Sequence, residues 1–385
     1  MNFDLSPEQD ALRQNVRSFA EAEIAPRAGE LDEKEEFSYD LTARMADIGL
    51  FGMIIPEEYG GQGLDYLSYI IAVEELARVD ASQAATIAAD NSLGINPIYY
   101  FGNDEQKRYW LPPLCSGKML AAFGLTEPDA GSDASASRTT AVKDGSDWVI
   151  NGSKMFITNA ATDITGVIIV QAVTDRRPDG RPELSCFLLP ADTKGFEART
   201  LHGKMVWRAS NTAQLFFNDC RVPESNMLGQ RGEGFKQMMR TLDGGRLSIG
   251  AMGLGGAQGA FELGLKYAKE REQFGRPIGE FQVNAFKIAD MALQVEAARN
   301  MLYRACFYAD EGRPYGQAGA MAKLYCSEVM RMCVLHAQQL HGGYGLMKEY
   351  AIERFYRDQR LLEVGEGTSE IQRLVIARSL GLNVR

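Results

Sequence analysis

This chain of 385 residues has few histidines, no CxxC pair of cysteines and no excess of basic residues. It has three histidines and six cysteines but no HExxH or CxxC motif, which argues against a zinc site. Cysteines so sparse are expected to be reduced, as in the cytosol, so we expect a cytoplasmic protein. Because 51 acidic residues outnumber 41 Lys and Arg residues, the formal net charge is −10. Nucleic-acid binding through phosphate contacts is therefore not expected.

Long apolar runs and phosphate-binding glycine motifs are also missing. No uncharged apolar run approaches the roughly 18 residues that a transmembrane helix needs, so no membrane insertion is expected. The amino terminus has neither the apolar region of a signal peptide nor the composition of a transit peptide. No GxxxxGK[ST] motif occurs, and the glycines of 250–259 do not form GxGxxG. A redox cofactor, if present, must therefore be held without a P-loop or a Rossmann motif.

The periodicity of apolar residues divides the chain into three parts. Residues 1–120 and 231–385 have helical spacing, whereas residues 121–230 have the short alternating runs of strands. The middle part has no alternating helices, which excludes a βαβ nucleotide fold. We predict an α+β protein with an N-terminal helical domain, a middle β domain and a C-terminal helical domain with those three boundaries.

Local signals predict where several elements begin and end. Ser6–Gln9 has the pattern of a capping box with proline at the first helical position, and Pro112–Pro113 is predicted to stop the last helix of the first part. Asp144–Gly145 and Asn151–Gly152 are predicted hairpin turns. The long helices of the third part are predicted over 247–273, 281–311, 315–341 and 369–380.

The first candidate functional segment is the loop Phe123–Asp133, which joins the first helical part to the β domain. Its small residues and the Thr126 and Ser132 hydroxyls can bring hydrogen-bond donors against a planar or anionic ligand. The same composition is typical of an ordinary domain linker.

The second candidate segment surrounds Glu366, which Gly365 and Gly367 flank. Flanking glycines allow the backbone to approach a ligand closely, and a carboxylate in a dry site suits a general base. Ser369 and Gln372 are predicted to form the capping box of the last helix. The alternative is a solvated loop glutamate.

Two further segments could hold phosphate groups. Gln339–Gly345 closes a long predicted helix with three glycines, and Arg271 precedes the turn Gly275–Pro277. An arginine there could pair with a phosphate. The alternatives are a glycine-rich helix end for the first segment and a charged helix end for the second.

Together the four segments resemble the acyl-CoA dehydrogenase family over essentially the whole chain. Leu125–Asp133 is similar to the first signature of that family. Gln339–Asp358 is similar to the second, with Gly342, Gly343, Gly345, Glu349, Arg354 and Asp358 in register. The resemblance implies an N-terminal helical domain, a middle β domain and a C-terminal four-helix bundle, with FAD bound non-covalently between the last two.

The resemblance also implies which residues hold FAD. The flavin ring would lie against a loop and a strand of the β domain, and residues of a second subunit would complete the site. Phe156 stands where many relatives have tryptophan, a change that preserves stacking. The implied cofactor-binding residues are Phe123, Leu125, Thr126, Gly131, Ser132, Phe156, Ile157, Thr158, Arg271, Phe274, Phe281, Gln282, Gln339, Gly342, Gly343, Thr368 and Glu370.

The implied reaction converts an acyl-CoA thioester to the 2-enoyl-CoA. Glu366 would remove the α proton while the β hydrogen leaves as hydride to flavin N5. The Glu366 N–H and a flavin ribityl hydroxyl would polarise the thioester oxygen. Ser132, Asp243, Arg246 and Gly367 would contact the thioester substrate. The family further implies a homotetramer that passes electrons to electron-transfer flavoprotein.

Three glycines and one aspartate are relevant to the size and shape of the acyl group. Gly244, Gly245 and Gly365 stand where relatives often carry larger side chains, so short straight, branched or alicyclic acyl groups are all candidates unless neighbouring side chains fill the space. Asp90 falls near the implied acyl end, where it could serve a dehydrogenase that forms a cyclic diene or simply act as a helix cap. An acyl-CoA oxidase and a non-catalytic protein that binds CoA thioesters are further alternatives.

Overall fold

The computed structural model describes residues 4–384. The chain begins with helices, and the first of them starts where the sequence predicts. Ser6 Oγ accepts from the Gln9 backbone N–H at 3.2 Å and Gln9 Oε1 accepts from the Ser6 N–H at 3.1 Å, which confirms the capping box. The first helices are α1 (Pro7–Phe19), α2 (Ala25–Lys34), α3 (Tyr39–Asp47), α4 (Tyr66–Ala77), α5 (Ala81–Ala89), α6 (Asn96–Phe101) and α7 (Asp104–Cys115). Ala20–Ile24 and Asp90–Ile95 are π-helical.

The prediction that Pro112–Pro113 stops the helical region is wrong, because both prolines lie inside α7. They occupy its last turn, and each removes one N–H donor to the carbonyl four residues before it, which weakens the end of the helix. The helix instead ends after Cys115, and the Ser116 N–H donates to the Pro112 carbonyl at 3.1 Å.

An eight-stranded mixed sheet follows the first helices. Its order is β6-β7-β3-β2-β4-β5-β8, and β1 pairs in parallel with β4. The strands are β1 (Leu120–Gly124), β2 (Thr140–Asp144), β3 (Asp147–Thr158), β4 (Thr165–Arg176), β5 (Pro182–Pro190), β6 (Phe196–Thr200), β7 (Thr212–Pro223) and β8 (Met227–Leu228).

Of the two predicted hairpin turns, one is confirmed and one is wrong. Asp144–Gly145 joins β2 to β3. Asn151–Gly152 lies inside β3, where the pairing with β7 shifts register between Ile150 and Gly152. A Cβ atom at Gly152 would lie 2.7 Å from the Thr139 Cα, so glycine permits a close approach here rather than a turn.

Long helices form the third part of the chain. They are α8 (Gly234–Glu270), α9 (Gln282–Asp310), α10 (Gly316–His341), α11 (Ile352–Leu362) and α12 (Ser369–Ser379), with the short strands β9 (Glu272–Gln273) and β10 (Arg276–Pro277) between α8 and α9. Helix α8 begins 13 residues before the predicted start at 247, and α11 lies in a segment without a predicted helix. The glycines of α8 obscure its periodicity, but they allow close packing: a Cβ atom at Gly253 would lie 2.9 Å from the Cys326 backbone of α10.

One hydrophobic core joins the first and last parts of the chain. It contains Tyr69 and Ile70 of α4, Leu247 of α8 and Val334 of α10, and two smaller clusters lie against the two faces of the sheet. Helix α8 packs against both α4 and α10 and thus runs through the middle of the molecule. Within residues 4–384 no helix is long and apolar enough to cross a membrane.

Candidate active site

The candidate site is built around a strained turn between α11 and α12. Glu366 and Gly367 both have left-handed backbone angles, with φ of 51° and 90°. That conformation is unfavourable for a residue with a side chain, and it persists only where surrounding contacts impose it. Lys323 Nζ donates to the Gly367 carbonyl at 2.7 Å, and Gln372 Nε2 donates to the same carbonyl at 3.0 Å and to that of Glu366 at 3.3 Å.

The Glu366 carboxyl group points into the protein rather than into solvent. Its Oε2 atom is buried and has no hydrogen-bond partner among the described residues. A Cβ atom at Gly245 would overlap Oε2 and would lie 3.2 Å from Leu93 Cδ2, so the carboxyl group is in the space beside that glycine. Burial raises the pKa of Glu366 to about 7, although the charges of Lys323 and Arg246 lower it.

The predicted capping box of the last helix is wrong by one residue. Thr368 is the N-cap, and its hydroxyl oxygen accepts from the Ile371 N–H at 3.2 Å. Ser369 is the first residue of α12, and its hydroxyl is buried without a partner among the described residues. Gln372 is therefore free to hold the Glu366 turn, while Glu370 is exposed on the first turn of α12.

The implied thioester-binding residues occupy two places. Asp243 and Arg246 form an ion pair on α8, and the Arg246 charge acts on Glu366. Gly367 directly follows Glu366, so these three residues lie around the turn. Ser132 is exposed on the loop after β1, and no described contact joins it to the turn.

Neighbouring atoms lie close to the three glycines that stand where relatives often carry larger side chains. A Cβ atom at Gly244 would lie 3.1 Å from the Tyr66 hydroxyl, and one at Gly365 would lie 3.2 Å from Leu361 Cδ2. The Glu366 carboxyl group takes the space beside Gly245.

Asp90 lies at the start of the π-helical segment and is fully buried. Its Oδ1 atom accepts from the Ala121 N–H of β1 at 2.7 Å, and Oδ2 has no hydrogen-bond partner among the described residues. Burial raises the pKa of this carboxyl group well above its ordinary range. Ala89 and Leu93 are the half-buried residues within 81–95, so they form the side of that segment with access to open space.

A buried ion pair holds the candidate flavin loop. Lys154 of β3 is fully buried, and its Nζ donates to Glu127 Oε1 at 2.8 Å and to the Leu125 carbonyl at 3.1 Å. Glu127 also accepts from the Ser137 hydroxyl at 2.5 Å and from the Arg138 N–H at 2.7 Å. These contacts lower the pKa of Glu127 to about 2 although burial opposes them. Sequence reasoning missed Lys154, whose signal is a lysine inside an otherwise alternating strand.

The loop and β3 present one aromatic ring and two hydroxyls at the same edge. The Met155 N–H donates to the Thr126 carbonyl at 2.9 Å, which ties the loop to β3. Phe156 follows with φ of 61°, and its side chain is 65% exposed. Thr126 and Thr158 are half-buried. The side chains of Phe123 and Leu125 belong to one of the sheet's two buried clusters and that of Ile157 to the other, so these three side chains are in the core rather than exposed at this edge.

A cleft of about 490 Å³ lies where α10 ends. It brings together two of the predicted phosphate-binding segments, because Arg271 lies beside Gly342 and Gly343. The Arg271 guanidinium is 5.7 Å from the centre of the Tyr344 ring. The lining residues are Tyr267, Arg271, Gln273, Ile278, Leu340, His341, Gly342, Gly343, Tyr344 and Met347.

The remaining predicted cofactor residues lie outside that cleft. Phe274 is 93% exposed and packs edge-on against Phe281, with ring centres 5.9 Å apart. Gln282 begins α9 and Gln339 lies near the end of α10, both exposed. Gly131 is exposed on the loop after β1.

The residues present fit a flavin dinucleotide in two respects. The exposed Phe156 ring and the Thr126 and Thr158 hydroxyls suit a planar ring with a polar edge. Arg271 beside two glycines suits a pyrophosphate, because a guanidinium and accessible backbone N–H groups both bind phosphate oxygens.

Family models match nearly the whole chain. Residues 6–118 match the model described as acyl-CoA dehydrogenase, N-terminal domain. Residues 122–220 match the middle domain and residues 232–381 match the C-terminal domain of the same family.

Individual relatives are similar over their full length. The chain is 49% identical to a probable acyl-CoA dehydrogenase, YngJ, of Bacillus subtilis, over 99% of this chain and 100% of that one. It is 45% identical to the short-chain specific acyl-CoA dehydrogenase of Clostridium acetobutylicum, over 98% and 99% of the two chains.

Two solved structures have the same fold throughout. Butyryl-CoA dehydrogenase from Megasphaera elsdenii superposes with a TM-score of 0.96 at 41% identity, covering 99% of this chain and 100% of that one. A chain from structural work on the electron transferring flavoprotein of Acidaminococcus fermentans superposes with a TM-score of 0.95 at 44% identity, covering 99% of both chains.

Proposed function

The chain belongs to the acyl-CoA dehydrogenase family, and from that premise we propose that Glu366 is its catalytic base and that its substrate is a short-chain acyl-CoA. It is an acyl-CoA dehydrogenase with FAD as its cofactor. The observation that carries the choice of base is the Glu366 Oε2 atom, which is buried, unpartnered among the described residues and held on a strained turn.

The Glu366 turn offers both groups that the removal of an α proton requires. Bound FAD supplies the acceptor for the hydride that leaves the β carbon. Glu366 Oε2 has no hydrogen bond within residues 4–384 to break before it takes the α proton, and its pKa of about 7 leaves a substantial ionised fraction at neutral pH. The Glu366 N–H has no acceptor among the described residues, so it can donate to the thioester oxygen and acidify the α carbon.

The packing around the base favours a short acyl group over a bulky one. Tyr66, Glu366 and Leu361 approach Gly244, Gly245 and Gly365 closely, and this supports a pocket of ordinary width. Ala89 and Leu93 give the open side of the π-helical segment an apolar surface. The relatives named for short-chain acyl-CoA and butyryl-CoA support the same choice.

A reaction that forms a cyclic diene with Asp90 as second base is the alternative proposal. Its support is the Oδ2 atom of a buried acid, which has no partner among the described residues. Against it, Oδ1 is bound to the Ala121 N–H and the whole residue is buried. We therefore place straight short-chain substrates first and branched or alicyclic ones second.

Electron-transfer flavoprotein is the acceptor that we propose, and one of the similar structures comes from work on such a protein. We also propose a homotetramer. Large apolar side chains are exposed along α9 and before it, namely Phe274, Val283, Phe286, Leu293 and Phe307. A surface of this kind is typical of a subunit interface. A cytoplasmic location agrees with six cysteines that are all buried and free.

Anaerobic titration of the purified FAD-loaded protein with acyl-CoA thioesters tests the proposal. We expect butyryl-CoA to bleach the flavin absorbance and Glu366→Gln to abolish the bleaching. Glu328→Gln is the matched control, because it removes a carboxylate that pairs with Arg373 at the surface.

The same titration separates the alternatives. Bleaching only by cyclohexanecarboxyl-CoA or a cyclohexene analogue would favour the alicyclic substrate. In a separate aerobic assay, oxygen consumption during turnover would indicate an oxidase. In the anaerobic titration, a flavin that no thioester bleaches would indicate a non-catalytic binding protein. Bleaching that persists in Glu366→Gln would refute the assignment of the base.

A further inference from the structure

Lys323 is a fully buried lysine in the middle of α10, in a stretch of sequence that no motif marks. Its ammonium group donates to the Gly367 carbonyl at 2.7 Å. No carboxylate of residues 4–384 lies within 4.0 Å of it, so it is not a member of a direct ion pair. A buried charge without a partner is costly, which indicates a purpose beyond packing.

Four charged groups act on Lys323, and most of them are already compensated. Glu363 is paired with both Arg331 and Arg360. Glu370 is exposed to solvent. Arg246 is paired with Asp243 on α8. Glu366 is the remaining group, and it is the carboxyl group that interacts most strongly with the Lys323 ammonium.

Of the cations that act on Glu366, Lys323 is again the one whose charge is not compensated. Two cations act on the Glu366 carboxyl group, with Lys323 ahead of Arg246. The charge of Arg246 is offset by Asp243, whereas that of Lys323 has no offsetting partner within ion-pair distance in the described part of the chain. In a dry site an uncompensated cation acts over several ångströms, because little water screens it.

We propose that Lys323 is a positioning residue that fixes the Glu366 turn through the Gly367 carbonyl and supplies the positive charge against which the Glu366 carboxylate ionises. This inference rests on the proposed role of Glu366 as the base. Gln372 holds the same carbonyl at 3.0 Å with a neutral amide. The turn thus has one charged and one neutral anchor, and variants can separate charge from geometry.

Three variants of the FAD-loaded enzyme make that separation. Lys323→Gln keeps an N–H donor for Gly367 and removes the charge. Lys323→Met removes both, and Gln372→Met removes only the neutral anchor. The measurement is the rate of anaerobic flavin bleaching by butyryl-CoA between pH 5 and 9, with Glu366→Gln as the reference for the base.

We expect the acid limb of the pH–rate profile to shift to higher pH by about one unit or more in both Lys323 variants, because the pKa of Glu366 rises when the positive charge is lost. Lys323→Gln should regain most of the wild-type rate at high pH, and Lys323→Met should regain less because its turn is also looser. Gln372→Met should lower the rate at every pH without moving the limb. A merely structural role for Lys323 would give the same uniform loss.

A readout that does not depend on turnover completes the test. Infrared difference spectra across the same pH range follow the carboxyl group that disappears in Glu366→Gln, and its midpoint should rise in Lys323→Gln. If neither the infrared midpoint nor the acid limb moves, or if both Lys323 variants fail to fold with FAD, the role of Lys323 is refuted while the proposed function stands. Full activity in Glu366→Gln would overturn the proposed function itself, so the two failures are distinguishable.

Discussion

The Glu366 carboxyl group lies against the backbone of Gly245, in space that any side chain at position 245 would take. Gly245 is in the middle of α8, whereas Glu366 lies between α11 and α12. Glycine at this position therefore serves the proposed base rather than the helix, because glycine is an unfavourable helix residue. This contact places the proposed base beside the helix that runs through the centre of the molecule.

Gly245→Ala should inactivate the enzyme without unfolding it. The added Cβ atom overlaps Oε2, which is the end of a flexible side chain and can move away. We expect the bleaching rate with butyryl-CoA to fall by about 100-fold, because a displaced base loses its alignment. The melting temperature should stay the same or rise slightly, since alanine favours helix.

Gly319→Ala on α10 is the control for that prediction. A Cβ atom there would have its nearest neighbour at 3.5 Å, an ordinary contact. Both variants should melt alike, but only Gly245→Ala should lose activity. Comparable losses in the two variants would contradict the assigned contact.

The rate of flavin reduction should depend on pH through one group near neutrality. Burial raises the pKa of Glu366 to about 7, and only the carboxylate form accepts the α proton. The rate should rise with pH, reach half its maximum near pH 7 and fall about tenfold per unit well below it. Stopped-flow reduction with butyryl-CoA measures this profile, and a rate that is flat from pH 5 to 8 would argue against Glu366 as the base.

Lys154→Met should destabilise the middle domain and weaken the retention of FAD. The substitution leaves the buried Glu127 carboxylate without its cation, which typically costs about 3–5 kcal/mol of the free energy of unfolding. The pKa of Glu127 is lowered to about 2, so its contribution to stability is present above the ordinary glutamate pKa and is lost as the pH falls towards 2. Denaturant unfolding at pH 7 and the yield of bound flavin measure both effects.

The double variant Lys154→Met/Glu127→Gln provides the control for the ion pair. Removing both charges should recover part of the stability that Lys154→Met loses, because no unpaired charge remains buried. Additive losses in the double variant would show that the two side chains act independently.

Substitutions of Asp90 should distinguish its hydrogen bond from its acidity. Asp90→Ala leaves the buried Ala121 N–H without an acceptor, so we expect a loss of about 1–3 kcal/mol in the free energy of unfolding. Asp90→Asn keeps an oxygen acceptor and should lose less. If Asp90→Asn stays folded but no longer oxidises a cyclohexene thioester that the wild type accepts, the diene-forming alternative gains its support.

The candidate base was predictable because its signal is local. Glu366 between two glycines, next to the start of a helix, is visible in five consecutive residues. Lys323 was not predictable, since its partner Gly367 is 44 positions away and a lysine in a helix usually points to solvent. Lys154 is 27 positions from Glu127 and was missed for the same reason.

Errors in the predicted elements have a related cause. Asn151–Gly152 has the composition of a hairpin turn, but the glycine instead allows β3 to approach Thr139, the residue just before β2. Pro112 and Pro113 are helix breakers in general, yet α7 includes both of them and ends only after Cys115. Local preferences are weak free energies, and packing overrides them.

The order of helical and β segments, the first helix cap and the family resemblance can be read from the amino-acid sequence, because periodicity, capping and motifs are properties of neighbouring residues. Folding is needed to show which side chains approach the three glycines, which cation acts on Glu366, and which buried pair holds the loop after β1. These relationships depend on burial and on contacts between distant segments. The raised pKa of Glu366 is another such property, because it results from the burial that folding imposes on the carboxyl group.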